Sequence, residues 1–346
     1  MNSQRGHTGL ATAIREPFSL AGRRRPYAAG MFSVGLVLGA GGVVGDPWHC
    51  GVLSRLASAT GWDARDADLI IGTSAGAFTA IGLRSGVSAH DRVARLRGEP
   101  VSAEAAEIYS RVTTDYDEPT VERDWRPLSL KMSLNALWPP WKPDPVRAAC
   151  GAIPRGTRSG AVSEQRMNEL HPDRWTGLPT WIVAVRASDS RRIVFGRDDV
   201  RGSIGQAARA SSAVPGVYVP AQIGKVEYID GGVHSSTNAD LCEMLGFDLV
   251  IISSAMTGGT GVFGGVINPM RSWFSSKLRD EVSALRRQGT AVVVVEPHSD
   301  TIQDLSAKND DQRDRAVRAG EIAVDRLLET PTGAGLNALI QQAQHG

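Results

Sequence analysis

One short segment constrains the fold of this chain more than any other, because it joins an apolar run to a Gly-x-Ser-x-Gly motif. The apolar run is residues 69–71, and Gly72, Ser74 and Gly76 occupy the fixed positions of the motif. This order predicts a strand, a sharp turn and a helix, since the glycines permit unusual backbone angles and a close strand–helix approach. A serine at such a turn lies beside a helix N-terminus that favours negative charge, which makes Ser74 a candidate nucleophile. A Gly/Ser-rich turn without chemistry is the alternative interpretation.

Other short apolar runs predict further strands. They are residues 32–38, 181–185, 192–195, 226–229, 248–252 and 291–295. Helical patterns follow the first two strands, at residues 51–59 and 75–83. Another covers residues 311–329, with Ala316, Ile322, Val324 and residues 327–328 as predicted inward positions. Because strands and helices alternate and the runs are apolar throughout, we expect an α/β fold whose mostly parallel sheet is covered by helices on both faces.

The 346 residues are expected to form one α/β domain with short extensions. Residues 1–30 are predicted to be a disordered leader, because the basic cluster at 23–25 is followed by Pro26 and small residues and not by the apolar region of a secretory signal. Met31 is an alternative start. The domain is assigned to residues 31–330, with an inserted helical cap at about 100–165. Residues 331–346 are assigned to a helical or loose tail.

Composition excludes several classes of protein. The formal net charge of +1 argues against a dedicated nucleic-acid binder. Cys50, Cys150 and Cys242 are far apart and odd in number, so they suggest neither a metal site nor a disulfide framework, and a reducing compartment is the simplest interpretation. No apolar stretch has the length of a membrane span. We therefore expect a cytoplasmic protein, with peripheral contact at a membrane left open.

A second glycine-rich segment, residues 39–45, follows the first predicted strand. Glycines let backbone N–H groups approach an anion closely. A P-loop would need a Gly-Lys-Ser/Thr ending, which is absent, and a dinucleotide-binding fingerprint fits only loosely. An oxyanion hole fits better, because the serine motif follows one strand later and the two loops would face one pocket.

Four segments occur in an order that resembles the patatin-like phospholipase family. They are residues 38–53, the serine motif at 72–76, the Arg-Ala-Ser-Ser-Ala-Val-Pro-Gly region at 208–216 and the Asp-Gly-Gly region at 228–233. Each segment is weakly specific alone, but the ordered set covers most of the chain from about residue 33 to residue 240. The resemblance implies a patatin-like three-layer sandwich and an acyl hydrolase of lipid esters, of the phospholipase A or lysophospholipase type.

The resemblance also implies roles for individual residues. Ser74 and Asp230 would form a catalytic Ser-Asp dyad without histidine, with lipid or lysolipid as the substrate and no metal or cofactor. The remaining implied site residues are the oxyanion donors Gly41, Gly42 and Val43 and the supporting glycines Gly72, Gly76, Gly231 and Gly232. An aspartate can accept the serine proton if a water-poor pocket offsets its low basicity. Oligomeric state, head group and acyl length are not implied.

Three departures from the family pattern keep other functions open. Val44 stands where the family commonly has a basic residue, one extra residue lies between Gly45 and Gly51, and Asn238 is not followed by the usual x-Pro. A catalytically weak lipid-binding or regulatory protein is therefore one alternative. A Ser-Asp-His esterase is another, because Ser74, Asp230 and His298 have the chain order of an α/β-hydrolase triad.

Other conspicuous residues have a structural and a functional interpretation. Ser211 and Ser212 are expected to pack and form hydrogen bonds near the site, and His49 to be structural or solvent-facing instead of contacting substrate. Residues 128–141, rich in leucine, tryptophan and proline, suit either core beneath a cap or a lid that contacts lipid. Residues 262–274 suit either a surface loop or the lining of an acyl channel.

Overall fold

A computed structural model describes residues 32–113, 117–141, 143–259, 269–301 and 311–345, with two short strands at 262–263 and 266–267. The predicted leader at 1–30 lies outside the described residues, as does part of the 262–274 segment, for which a surface loop and an acyl-channel lining are the alternatives. In the described ranges, no helix combines the length and the apolar character needed to cross a membrane.

The core of the fold is an eight-stranded mixed sheet with the order β10-β7-β1-β2-β3-β6-β5, in which β4 also pairs with β3. Its strands are β1 (Val34–Leu38), β2 (Leu69–Thr73), β3 (Thr180–Arg186), β4 (Arg192–Phe195), β5 (Ala221–Ile223), β6 (Val226–Asp230), β7 (Leu249–Ser253) and β10 (Ala291–Val295). The short strands β8 (Val262–Phe263) and β9 (Val266–Ile267) pair with each other. The five strands from β10 to β3 are parallel, as predicted.

Helices surround this sheet. They are α1 (Gly42–Thr60), α2 (Ala75–Arg84), α3 (Ala89–Arg97), α4 (Ala103–Ser110), α5 (Leu130–Ala136), α6 (Pro145–Ala152), α7 (Ala161–Leu170), α8 (Ile204–Ser211), α9 (Pro269–Arg287), α10 (Gln312–Leu328) and α11 (Pro331–His345). Single 3₁₀ turns occur at Ala64–Asp66, Gly231–Val233 and Ala239–Cys242.

The sheet is buried on both faces, which explains why its strands are continuous apolar runs. In β1, Leu36 and Leu38 belong to one apolar cluster while Val37, between them, belongs to another. The first cluster includes residues of α1, α2, α8 and α10, and the second includes Leu278 and Leu285 of α9. Alternate side chains of a strand point to opposite faces, so both faces require apolar residues.

Strand β3 brings the ends of two other strands together. One edge of β3 pairs with β4 through residues 182–185. The other edge pairs first with β2, as far as Thr73 opposite Val183, and then with antiparallel β6, which ends at Asp230 opposite Ala184. Strands β2 and β6 therefore meet end to end along β3, and the residues at their C-terminal ends become neighbours.

The structure differs from the sequence-based expectation at α1. The helix begins at Gly42, so the second half of the predicted glycine loop is helical. Gly45 lies in the first turns, where an added Cβ would be 2.6 Å from Ala75 Cβ. The glycine at this position therefore permits close helix packing, a role that sequence pattern alone does not distinguish from loop flexibility.

A second difference concerns α10, for which the sequence predicted Ala316, Ile322, Val324 and residues 327–328 as inward positions. Ala316 and Val324 are buried and the two leucines are partly buried, but Ile322 is 41% exposed. The helix packs closely on α1 along a narrow stripe that includes Gly320, and Ile322 lies off that stripe. Its assignment to the core was wrong.

Candidate active site

Ser74 occupies a sharp turn between β2 and α2, as the Gly-x-Ser-x-Gly motif predicts. Its backbone angles are φ 54° and ψ −116°, a strained combination that typically costs a non-glycine residue about 1–3 kcal/mol. The flanking glycines make room for this turn. A Cβ on Gly72 would lie 2.7 Å from Ala77 Cα, and one on Gly76 would collide with the carbonyl oxygen of Leu38. The serine itself is buried, with 4% of its surface exposed.

Asp230 is the last residue of β6. It lies next to Ser74 at the point where the C-terminal ends of β2 and β6 meet along β3. Its Oδ1 accepts a hydrogen bond of 2.7 Å from the Gly232 N–H, and the Ser74 side chain hydrogen-bonds to the same carboxyl group. Burial raises the pKa of this carboxyl from 3.8 to about 6, although the bonds from Ser74 and Gly232 act in the opposite direction. Asp230 is thus a much stronger base than an aspartate in water.

The two glycines after Asp230 fit a turn with no room for side chains. A Cβ on Gly231 would collide with the carbonyl oxygen of Val183, and one on Gly232 would lie 3.0 Å from Asp230 Oδ1. The backbone N–H of Asp230 also donates to the carbonyl of Ala213, at 3.0 Å. The Asp-Gly-Gly segment is therefore fixed against β3 and against the segment that follows α8.

Ser211 holds the serine turn in place. Its Oγ accepts the Ser74 backbone N–H at 2.8 Å and donates to the Val183 carbonyl at 2.6 Å, and the side chain is fully buried. Ser212, directly after α8, donates to the carbonyl of Ala208 in that helix. The structural interpretation of both serines is confirmed.

The glycine-rich segment after β1 is bound to both neighbouring loops. The carbonyl of Gly39 accepts the Gly76 N–H at 3.2 Å, which joins the segment to the serine turn. The N–H of Ala40 donates to Ser236 O at 2.7 Å, which joins it to the loop after Asp-Gly-Gly. Three segments that are distant in sequence therefore meet at one place.

Gly41, Gly42 and Val43 form the start of α1 at this meeting point. Gly41 is the N-cap residue and provides no side-chain cap, Gly42 has φ +57°, and Val43 is 69% exposed. The N–H groups in the first turn of an α-helix have no partner within the helix and carry partial positive charge. The turn thus offers hydrogen-bond donors at the C-terminal edge of parallel strands β1 and β2, where Ser74 also lies.

His49 is a structural residue. It is fully buried, and burial lowers its pKa to about 4, so the ring is neutral near pH 7. Its Nε2 lies 2.8 Å from the carbonyl of Gly39, which can only accept, so this nitrogen carries the proton. Nδ1 then accepts from Ser253 Oγ, 2.7 Å away. The histidine thereby fixes the base of the glycine-rich segment and is enclosed by protein.

His298 lies far from the Ser74–Asp230 pair. It is exposed and follows β10, which is the edge strand of the sheet. Strands β7 and β1 separate β10 from β2, a distance of about 14 Å at the usual spacing between strands. The structure does not bring Ser74, Asp230 and His298 together as a triad.

Sequence reasoning missed the residue that organises the loop after Asp-Gly-Gly. Glu281 of α9 is buried and accepts hydrogen bonds from Ser235 Oγ at 2.6 Å, Thr237 Oγ1 at 2.5 Å and the Ala239 N–H at 3.1 Å. Within this loop, Asn238 Nδ2 donates to Thr73 Oγ1 at 3.1 Å, beside the serine turn. In the sequence, Glu281 is one of several charged residues of an amphipathic helix, and nothing distinguishes it.

Comparisons with known proteins identify the family of this chain. The model of the family described as Patatin-like phospholipase matches residues 36–242, which is more than half of the chain and includes all four segments named above. Among solved structures, VipD from Legionella pneumophila is similar at 17% identity, over 87% of this chain and 67% of its own, with a TM-score of 0.41. That structural similarity is too low to add to the assignment. On the extent of the family match, the chain belongs to the patatin-like phospholipase family, a family of lipid acyl-hydrolases.

Proposed function

We propose that this protein hydrolyses acyl esters of phospholipids or lysophospholipids, with Ser74 as nucleophile and Asp230 as general base. The observation that carries the proposal is the buried contact between the two side chains, in which the pKa of Asp230 is raised to about 6. A general base is most effective when its pKa approaches the working pH. An isolated turn serine and a solvated turn aspartate would not combine these properties.

The first half of the reaction forms an acyl-enzyme. Ser74 Oγ attacks the ester carbonyl carbon while its proton moves to the Asp230 carboxylate. The carbonyl oxygen becomes an oxyanion, for which the N–H groups of Gly41, Gly42 and Val43 are the proposed donors. The C–O bond to the alcohol then breaks, and the proton on Asp230 passes to the departing alkoxide. In other hydrolases, one oxyanion donor contributes about 3–4 kcal/mol to the transition state.

The second half restores the enzyme. Asp230, again a carboxylate, takes a proton from water as the water oxygen attacks the acyl carbonyl carbon. The second oxyanion collapses, the bond to Ser74 Oγ breaks, and the serine regains the proton while the fatty acid leaves. Each proton that Asp230 accepts is returned within the same half-reaction, so the cycle needs no histidine.

A panel of lipids assayed with matched variants tests the proposal. The panel contains phosphatidylcholine, lysophosphatidylcholine, triacylglycerol and a soluble p-nitrophenyl ester. We expect the wild type to release fatty acid from the phospholipids. Ser74→Ala and Asp230→Asn should each lose at least about a thousandfold in kcat, because alanine provides no nucleophile and asparagine cannot accept the serine proton. His298→Ala is the control and should keep wild-type activity.

Three results would contradict the proposal. Full activity in Ser74→Ala would exclude this serine as the nucleophile. A severe loss in His298→Ala with activity kept in Asp230→Asn would favour the triad esterase. Binding of lipid by folded wild-type protein without any turnover would favour the lipid-binding or regulatory alternative.

A further inference from the structure

The outer surface of helix α5 and the turn after it is unusually apolar. We call this surface the cap face and define it as Leu130, Leu134, Leu137, Trp138 and Trp141. These side chains are 62%, 70%, 52%, 73% and 81% exposed, respectively. The ring centroids of the two tryptophans are 6.4 Å apart, so they form one aromatic surface. Five large apolar side chains within twelve residues make a patch of the kind that marks an interaction site.

The exposure does not arise from a poorly packed helix. Met132 and Ala136, one turn apart, are buried beneath α5, and Met132 packs in a cluster with Ile229 and Val233. Leu130 and Leu134 lie on the opposite side at the same spacing, so α5 is apolar on both sides. A helix with apolar stripes on two opposite sides has apolar surface to bury, by contact with apolar material, on both of them. Protein supplies that contact on the inner side of α5.

The cap face is held close to the proposed catalytic residues. Helix α5 packs against α6, where a Cβ on Gly151 would lie 2.5 Å from Ser133 Oγ. Helix α6 in turn contacts the turn Gly231–Val233, and Arg147 of α6 lies 3.2 Å from His234 Nδ1. The cap face therefore forms the outer surface of the structure that covers the Asp-Gly-Gly loop.

The charges around the cap face complement an anionic surface. From Pro127 to Pro143 the sequence contains Lys131 and Lys142 and no acidic residue, while Arg126 is paired with Asp124. Lys131 is exposed on α5 between two leucines of the cap face. Asp144, which follows this stretch, caps α6 and its charge is paired with Arg147.

We propose that the cap face is a docking surface for a phospholipid bilayer that contains anionic lipid. This inference rests on the proposed function, because a lipid hydrolase of this kind must draw its substrate from such an aggregate. Tryptophan rings favour the headgroup level of a bilayer, leucines favour the acyl boundary, and lysines favour anionic headgroups. The cap face provides the tryptophans and leucines, and the exposed Lys131 of α5 provides the positive charge beside them.

Vesicle co-sedimentation in the Ser74→Ala background tests this surface without hydrolysis of the vesicles. Vesicles of phosphatidylcholine, with and without a minor fraction of phosphatidylglycerol, are mixed with protein carrying Leu134→Ser and Trp138→Ser. The matched control carries Met244→Ser and Ile322→Ser, which are exposed apolar positions outside the cap. We expect binding that is stronger with phosphatidylglycerol. The cap variant should lose roughly tenfold or more in partitioning and the control should stay near its parent.

Equal binding by the cap variant and the control would overturn the proposal, as would an absence of vesicle binding in the parent. Light scattering tests whether a second copy of the chain binds the cap face instead. If the cap variant changes only the self-association of the chain, the face is an interface between copies and the proposal fails. Hydrolysis is measured separately with protein that retains Ser74. Cap-dependent vesicle binding by a protein that hydrolyses no ester would support the docking surface while contradicting the proposed function.

Discussion

The proposed chemistry depends on the surroundings of one carboxyl group, that of Asp230. An aspartate in water is a poor base, but burial at the end of β6 raises the pKa of Asp230 to about 6. The same burial has a cost for folding. Between pH 3.8 and about 6 the native Asp230 keeps a proton that the unfolded chain has released, so its contribution to stability falls as pH rises through this window.

Asp230→Asn should therefore change activity and stability in opposite directions. We expect loss of hydrolysis, together with a free energy of unfolding at pH 7 that is higher than that of the wild type by about 2–3 kcal/mol, because the amide carries no charge to desolvate. Urea unfolding at pH 4 and pH 7 measures this, and the gain should shrink at pH 4. In the wild type, kcat on a soluble ester should rise through about pH 6 as Asp230 ionises.

Asp240→Asn is the matched control on the same loop. Arg192 lies 2.6 Å from Asp240 and helps to hold the pKa of that carboxyl below its usual range, against the effect of burial. Its ionised form stabilises the fold above the unfolded pKa, and that contribution is lost as pH falls through the folded pKa. Asp240→Asn should thus destabilise the protein at pH 7. A destabilised Asp230→Asn would contradict the electrostatic account.

At the level of residues, the sequence predicts the features that short motifs encode, such as the serine turn, and few others. Ser74 and its strained turn follow from two glycines at fixed spacing, because a side chain at Gly72 or Gly76 would collide with the neighbouring backbone. Glu281 could not be predicted, because its role depends on three donors from a loop more than forty residues earlier in the chain. Buried polar contacts of this kind leave no local pattern.

At the level of elements, the candidate site exists because β3 pairs with two strands along one edge. Parallel β2 delivers Ser74 from one direction and antiparallel β6 delivers Asp230 from the other. The parallel part of the sheet could be predicted from alternating strands and helices. The end-to-end meeting of β2 and β6 could not, because register depends on pairing between distant segments.

The contact between α9 and the loop after Asp-Gly-Gly predicts the effect of Glu281→Ala. The substitution leaves two hydroxyls and one N–H buried without their acceptor, so we expect a loss of about 3 kcal/mol or more in urea unfolding and a reduced kcat. Glu281→Gln keeps one acceptor oxygen, so its loss of stability should lie between those of the wild type and Glu281→Ala. The exposed neighbour Asp280→Ala is the control, expected within about 0.5 kcal/mol of wild type. Equal effects of Glu281→Ala and Asp280→Ala would refute this role.

At the level of the whole molecule, the proposed oxyanion turn is fixed by packing between opposite ends of the chain. Helix α1, which begins at that turn, packs on α10 so closely that a Cβ on Gly51 would collide with the Val317 carbonyl. A Cβ on Gly320 would lie 2.6 Å from the Trp48 carbonyl. The sequence predicts both helices but not their contact, because a glycine within a helix does not by itself indicate close packing against another helix.

Gly51→Ala should therefore destabilise the protein although alanine is the better helix former. We expect a loss of about 1–3 kcal/mol from overpacking, measured by thermal unfolding. Gly335→Ala in α11 is the matched control, because no atom lies within 4 Å of its added Cβ and the change should stabilise by up to about 1 kcal/mol. Stabilisation by both substitutions would show that α1 and α10 do not pack this closely.

The proposed nucleophile can be tested most directly by covalent labelling. Wild-type protein is incubated with a fluorophosphonate, and the adduct is located by peptide mass mapping. The proposed dyad predicts one adduct on Ser74, none in Ser74→Ala, and labelling slowed at least about a hundredfold in Asp230→Asn, because the base activates the hydroxyl. An adduct on another serine, or hydrolysis that persists with Ser74 unlabelled, would contradict it.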